Sequence, residues 1–111
     1  MGARKFKVTV TKTTEFEVEF DEEAWSKKNI DEWKKVFYDV DDLEDVATKF
    51  GPMYANEGPG VFIEGFGVPL ENGCIPIPQR LTAEGMKEVN SNINVKEFTE
   101  DYDTDVEEVT E

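Results

Sequence analysis

Histidine is absent from the 111 residues, and cysteine occurs once, at Cys74. The first absence removes imidazole acid/base catalysis and the common zinc sites, and the second removes any intramolecular disulfide. Basic residues are scarce as well: 12 Lys+Arg stand against 26 Asp+Glu, a formal net charge of -14. Such a chain is repelled by nucleic acid and by anionic membranes, so neither is expected as a direct partner, and a basic protein is. No apolar run approaches the roughly 18 to 20 residues of a membrane span, and Met1 to Lys12 has no stretch like a signal peptide. The expectation is a soluble, cytoplasmic, non-enzymatic protein without a cofactor or metal.

With 38% hydrophobic residues the chain can bury one modest core, since a domain typically holds roughly 100 to 150 residues. The expected class is α+β, with residues 1–98 as a single domain and 99–111 as a flexible acidic tail. Charge is unevenly spread. Residues 1–20 carry +1, residues 21–60 carry -6, residues 61–81 carry -1 and residues 82–111 carry -8.

Phe6, Val8 and Val10 alternate with Lys5, Lys7, Thr9 and Thr11, and Phe16, Val18 and Phe20 alternate with Glu15, Glu17 and Glu19. The pattern predicts an N-terminal β-hairpin turning through Lys12-Thr13-Thr14, with a basic strand beside an acidic one. Asp21 is a candidate N-cap ahead of Glu22, Glu23 and Trp25, and a second helical phase places Ile30, Trp33, Val36 and Phe37 on one face. Asp31 is a candidate separate cap for that phase. Asp41 or Asp42 caps a third stretch, in which Leu43, Val46, Ala47 and Phe50 follow helical spacing until Gly51-Pro52 stops it. Residues 52–60 read as a Gly/Pro loop. A second hairpin is expected from Val61–Phe66, an Asn72-Gly73 turn and a return through Cys74–Pro78, with Pro76 and Pro78 marking an edge. Thr82–Val89 can form a short helix across Gly85, and Ile93, Val95 and Phe98 a strand. Beyond Phe98 the charge density predicts disorder.

Several motifs fail when tested. Asp101, Asp103 and Asp105 match the first ligand spacings of a calcium loop, but Val106 stands where the sixth-position glycine belongs and the twelfth position lies past Glu111. Glycines 58, 60, 65 and 67 belong to no phosphate-binding pattern. Carboxylate pairs occur by chance at this acidity, and Cys74 has no histidine to activate it, so a structural thiol is expected.

Asp39, Asp41, Asp42, Glu44 and Asp45 place five carboxylates within seven residues at a helix start. One or two suffice for capping, and the rest repel one another, which a partner-binding surface would explain. Glu15, Glu17 and Glu19 add a second acidic row. Tyr54, Phe66 and Tyr102 fall outside the core periodicity, and Tyr54 and Phe66 are candidate exposed anchors beside the Gly/Pro loop.

A short, strongly acidic chain with a hairpin, helices, an acidic end and no catalytic set resembles the small phage-encoded inhibitors of the anti-CRISPR and antirestriction kind. The resemblance is one of general character across the whole chain and carries no motif. It implies a stoichiometric, DNA-mimicking blocker of a nucleic-acid-binding enzyme, acting in the cytoplasm of a bacterial host. A small phage structural or assembly protein, homo-oligomeric through apolar contacts, and a dedicated binder of one basic protein are the alternatives.

Overall fold

The computed structural model describes residues 2–110. In chain order the elements are β1 (Lys5–Phe20), α1 (Lys27–Lys34), α2 (Leu43–Glu57), β2 (Val68–Glu71), α3 (Ile77–Arg80), α4 (Ala83–Glu88) and β3 (Val89–Val109). They form a three-stranded sheet of order β1-β3-β2, so the mixed α and β content expected from the sequence is present. β1 runs antiparallel to β3 and β2 runs parallel to it.

The molecule measures 66 × 35 × 24 Å, with a radius of gyration of 19.0 Å. A compact chain of this length would have about 13 Å. The excess comes from β1 and β3, of 16 and 21 residues, which extend together beyond the packed end. Their pairing runs from Phe20↔Ile93 to Lys5↔Val109. The inner half lies against the helices, and the outer half, residues 5–15 with 99–109, projects as a two-stranded arm.

Two expectations are thereby corrected. Lys12-Thr13-Thr14 continues one strand instead of turning, because it offers β-forming threonines and none of the Gly, Asn or Asp that a tight hairpin turn requires. Thr99–Val109 is an ordered strand and no flexible tail, because β1 supplies its backbone partner. The basic strand does lie beside an acidic one, but the acidic strand is the distal part of β3, with Lys7 opposite Glu107.

The core joins one sheet face to the helices. Trp25, Ile30, Val40, Val46, Phe50, Tyr54, Ile63, Phe66, Ile93 and Val95 form the buried cluster, with Phe16, Val18, Phe20 and Phe98 packed against it. Aromatic rings fill much of it: Phe50 lies 6.3 Å from Phe16, 6.1 Å from Phe20 and 5.1 Å from Phe66, each edge-on. Edge-to-face contacts of this kind add about 0.5 to 1.5 kcal/mol beyond burial.

Ser26, and neither Asp21 nor Asp31, caps α1, its hydroxyl accepting from the Asn29 amide at 3.3 Å. Ile30 is buried, whereas Val36 and Phe37 fall beyond the helix end and are exposed. α2 starts at the expected Asp42 cap but runs through Gly51-Pro52 to Glu57. Pro52 faces solvent, while Val46, Phe50 and Tyr54 continue a buried i, i+4 stripe beneath it. Burial of that stripe outweighs the roughly 3 kcal/mol that proline costs inside a helix.

Val61–Phe66 is likewise no regular strand. The Asn72-Gly73 turn forms as expected, with φ of 50° and 78°, and joins Glu71 to Cys74, but the strand it ends is β2. Its return is cut to a single bridge because Pro76 and Pro78 cannot donate to a ladder, and Pro78 enters the first turn of α3 instead. Gly67, at φ 75°, lies so close to the end of α4, where β3 begins, that an added Cβ would sit 2.8 Å from the Glu88 carbonyl.

Candidate functional site on the two-stranded arm

Residues directly opposite one another in an antiparallel pair share a face. In the arm, Phe6, Val8, Val10 and Lys12 pair with Glu108, Val106, Thr104 and Tyr102. On the other face Lys7, Thr9, Thr11, Thr13 and Glu15 pair with Glu107, Asp105, Asp103, Asp101 and Thr99.

A bulge creates this sorting. Between Glu15↔Thr99 and Glu17↔Lys96 the chain advances two residues along β1 and three along β3, and Glu97 adopts a left-handed φ of 53°. The inward set on β3 therefore switches from Ile93 and Val95 to Phe98, Tyr102, Thr104 and Val106. Asp101, Asp103, Asp105 and Glu107 are left on the outward face, in line with Glu15, Glu17 and Glu19 on β1.

The outward face is strongly acidic and fully wet. Asp101, Asp103 and Asp105 stand opposite threonines and not opposite bases. Alternate strand residues lie about 6.8 Å apart, giving a straight row of carboxylates. Glu19 is the exception on β1: its carboxylate accepts from Lys96 Nζ at 2.8 Å and Asn94 Nδ2 at 3.1 Å, and both bonds hold it below the usual carboxylate range. The same contact raises the Lys96 ammonium.

The Asp39–Asp45 cluster divides into two roles. Asp42 Oδ1 accepts from the Asp45 amide at 2.9 Å, and Asp45 Oδ2 accepts from the Asp41 amide at 2.9 Å, so these two carboxylates fasten the start of α2. Asp39, Asp41 and Glu44 are exposed. The Asp41 carbonyl accepts from Lys27 Nζ at 3.0 Å, which ties α1 to this turn.

Tyr54 and Phe66 are both 1% exposed and belong to the core, so neither can anchor a partner. Tyr54 falls four residues after Phe50 on the helix that Pro52 fails to stop. Trp33 and Asn90 hold the segment carrying Phe66 inward, Trp33 Nε1 donating to the Gly65 carbonyl at 2.7 Å and Asn90 Nδ2 to the Phe66 carbonyl at 2.8 Å. Burial pushes the Tyr54 phenol up to about 12, with the charge of Glu71 adding to it. Cys74 is exposed and free. Among the described residues no cluster of His, Cys, Asp or Glu is placed to hold a metal, and no helix is long and apolar enough to cross a membrane.

The sequence singles out Asp101, Asp103 and Asp105 at the spacing of a calcium loop and misses them as a strand face with Glu107, although the signal is there: Asp-Tyr-Asp-Thr-Asp-Val alternates with period two. No protein-family model, curated protein or solved structure matches the chain.

Proposed function

We propose that the protein is a non-catalytic inhibitor, phage-encoded, whose acidic arm occupies a Lys/Arg-lined groove of a nucleic-acid-binding defence enzyme. The observation that carries this reading is the row Asp101, Asp103, Asp105 opposite threonines and continuous with Glu15 and Glu17. Its charges repeat about every 6.8 Å, one for every two phosphates at the roughly 3.4 Å of axis per phosphate of one nucleic-acid strand. A narrow arm can enter a groove that the globular end cannot. Association is steered by charge and therefore weakens with added salt.

Capture from bacterial lysate, with and without competing DNA, tests the reading. A basic nucleic-acid enzyme should be retained, displaced by DNA and lost with Asp101→Lys/Asp103→Lys/Asp105→Lys. Capture indifferent both to DNA and to the triple variant would remove the arm from the interface. Asp39→Lys/Glu44→Lys asks the same of the helix cluster without disturbing the Asp42 and Asp45 caps.

A second reading, a small phage structural or assembly protein, is favoured by one observation: the opposite face of the same arm is apolar and exposed.

A further inference from the structure

The inward phase of β1 is unbroken from Phe20 to Phe6, so the face that meets Phe50 and Tyr54 at the base continues along the arm. There it carries Phe6, Val8, Val10, Tyr102 and Val106, with Val8 58% and Val106 62% exposed. Arg4 stands over the Phe6 ring, 5.3 Å from its centre, and the rest of the face is open. A two-stranded ribbon bare on both faces is marginal in water, and no turn closes the far end of this one among the described residues.

We infer that a second copy of this chain covers the apolar face of the arm, making the protein a homodimer through face-to-face arms. Three features select a second copy over a foreign partner. The face is electrically neutral, because its ions are matched within the chain: Arg4 Nε lies 2.8 Å from Glu108 and Lys12 Nζ lies 3.1 Å from Glu100. A partner rich in either charge therefore gains nothing here, whereas another neutral apolar ribbon does. Stacking these faces also keeps the acidic rows of both copies outermost, which is how a chain of charge -14 can meet itself. Finally, eleven residues of two-stranded ribbon are about 37 Å long and about 10 Å wide, so a stacked pair buries roughly 1,000 Å² once side-chain relief is included. That is about the lower limit for a specific interface, and it fits a dimer that forms and parts with concentration.

This inference does not rest on the acidic face, and salt separates the two. Screening relieves repulsion between two like-charged copies, so added salt tightens the dimer while it loosens a complex with a basic partner. The experiment is sedimentation of the full chain from micromolar to millimolar concentration, in low and high salt, with hydrogen exchange of the arm amides alongside. We expect a concentration-dependent dimer, strengthened by salt, with exchange at 5–15 and 99–109 slowing as dimer accumulates. Phe6→Thr/Val8→Thr/Val106→Thr keeps β-forming residues in the arm and should weaken the dimer by more than about tenfold, given the apolar area removed. Thr11→Ser, on the outward face, should leave it unchanged. A monomer throughout the range, or a dimer that the triple variant and the arm exchange do not register, overturns the inference.

Discussion

The same two strands build the packed end and the arm, yet the two regions are held by different forces. At the base, Phe16, Val18, Phe20, Ile93 and Val95 lie against α2 and the loop around Phe66, and burial of aromatic surface dominates. In the arm the same alternation of apolar and polar residues persists, but there backbone pairing and exposed ion pairs such as Arg4–Glu108 join β1 to β3. An identical local pattern is thus a core in one place and an open surface in the other. The difference lies in what covers it, which no local rule encodes.

The sharpest way to break the contrast is Phe50→Ala, which removes a ring packed against Phe16 and Phe20 of β1 and against Phe66. It should destabilise the packed end by about 3 to 5 kcal/mol in denaturant unfolding. Val10→Ala in the arm of a dilute monomer should cost well under about 1 kcal/mol, since little area is buried there. Comparable losses from the two would mean that arm and base unfold as one unit.

Tyr54 gives the next largest effect. Its phenol is raised to about 12 in the folded chain, against an ordinary value near 10. The unfolded chain therefore loses this proton first, and stability, full below about pH 10, falls as pH rises toward 12, by up to about 3 kcal/mol. Well below pH 12, phenolate absorbance from this residue should appear only with unfolding. In the same residue, the buried hydroxyl finds no hydrogen-bond partner among the described residues. Tyr54→Phe should consequently stabilise the packed end by about 1 kcal/mol and abolish that share of the alkaline loss.

At the junction of the two regions, Glu97 holds a left-handed backbone without being glycine. Glu97→Gly should raise stability by roughly 0.5 to 1 kcal/mol while keeping the bulge. A loss of stability instead would show that the Glu97 side chain matters more than the backbone strain. Smallest of all is the response to acid. Glu108 and Glu19 are held below the usual carboxylate range, by Arg4 and by Lys96 with Asn94 respectively. Each contribution is present above the unfolded carboxylate value and is lost as pH falls through the depressed one, so in acid the protection factors of the arm amides beside Glu108, taken relative to the slower intrinsic exchange, should fall before those of the core.

Much of the packed end was legible from the sequence. Val46 and Phe50 on a helix begun by Asp42, the Asn72-Gly73 turn and the inward set of β1 all follow from spacing and turn chemistry. What escaped was pairing at long range. Phe16–Phe20 alternates as well, which points Phe6–Val10 to a nearby partner, and the charge of the distal part of β3 masks its period-two pattern. Pro52 misled for a similar reason: a local rule for stopping a helix gave way to burial of Tyr54 one turn further on. Of the candidate site residues, Glu15, Glu17 and Glu19 came to lie with Asp101, Asp103 and Asp105. Asp42 and Asp45 proved to be caps, and Tyr54 and Phe66 core.

The register Lys5↔Val109 joins residues 104 positions apart along the chain. Closing so long a loop from the unfolded state is entropically costly, and the contact yields little in return. Once Phe20 and Ile93 have met in the core, each further pair closes only a short step, so the arm zips outward from the bulge as the final stage of folding. By the same logic it frays inward from its far end, and a protease acting on the native protein should trim the arm well before it reaches the helices.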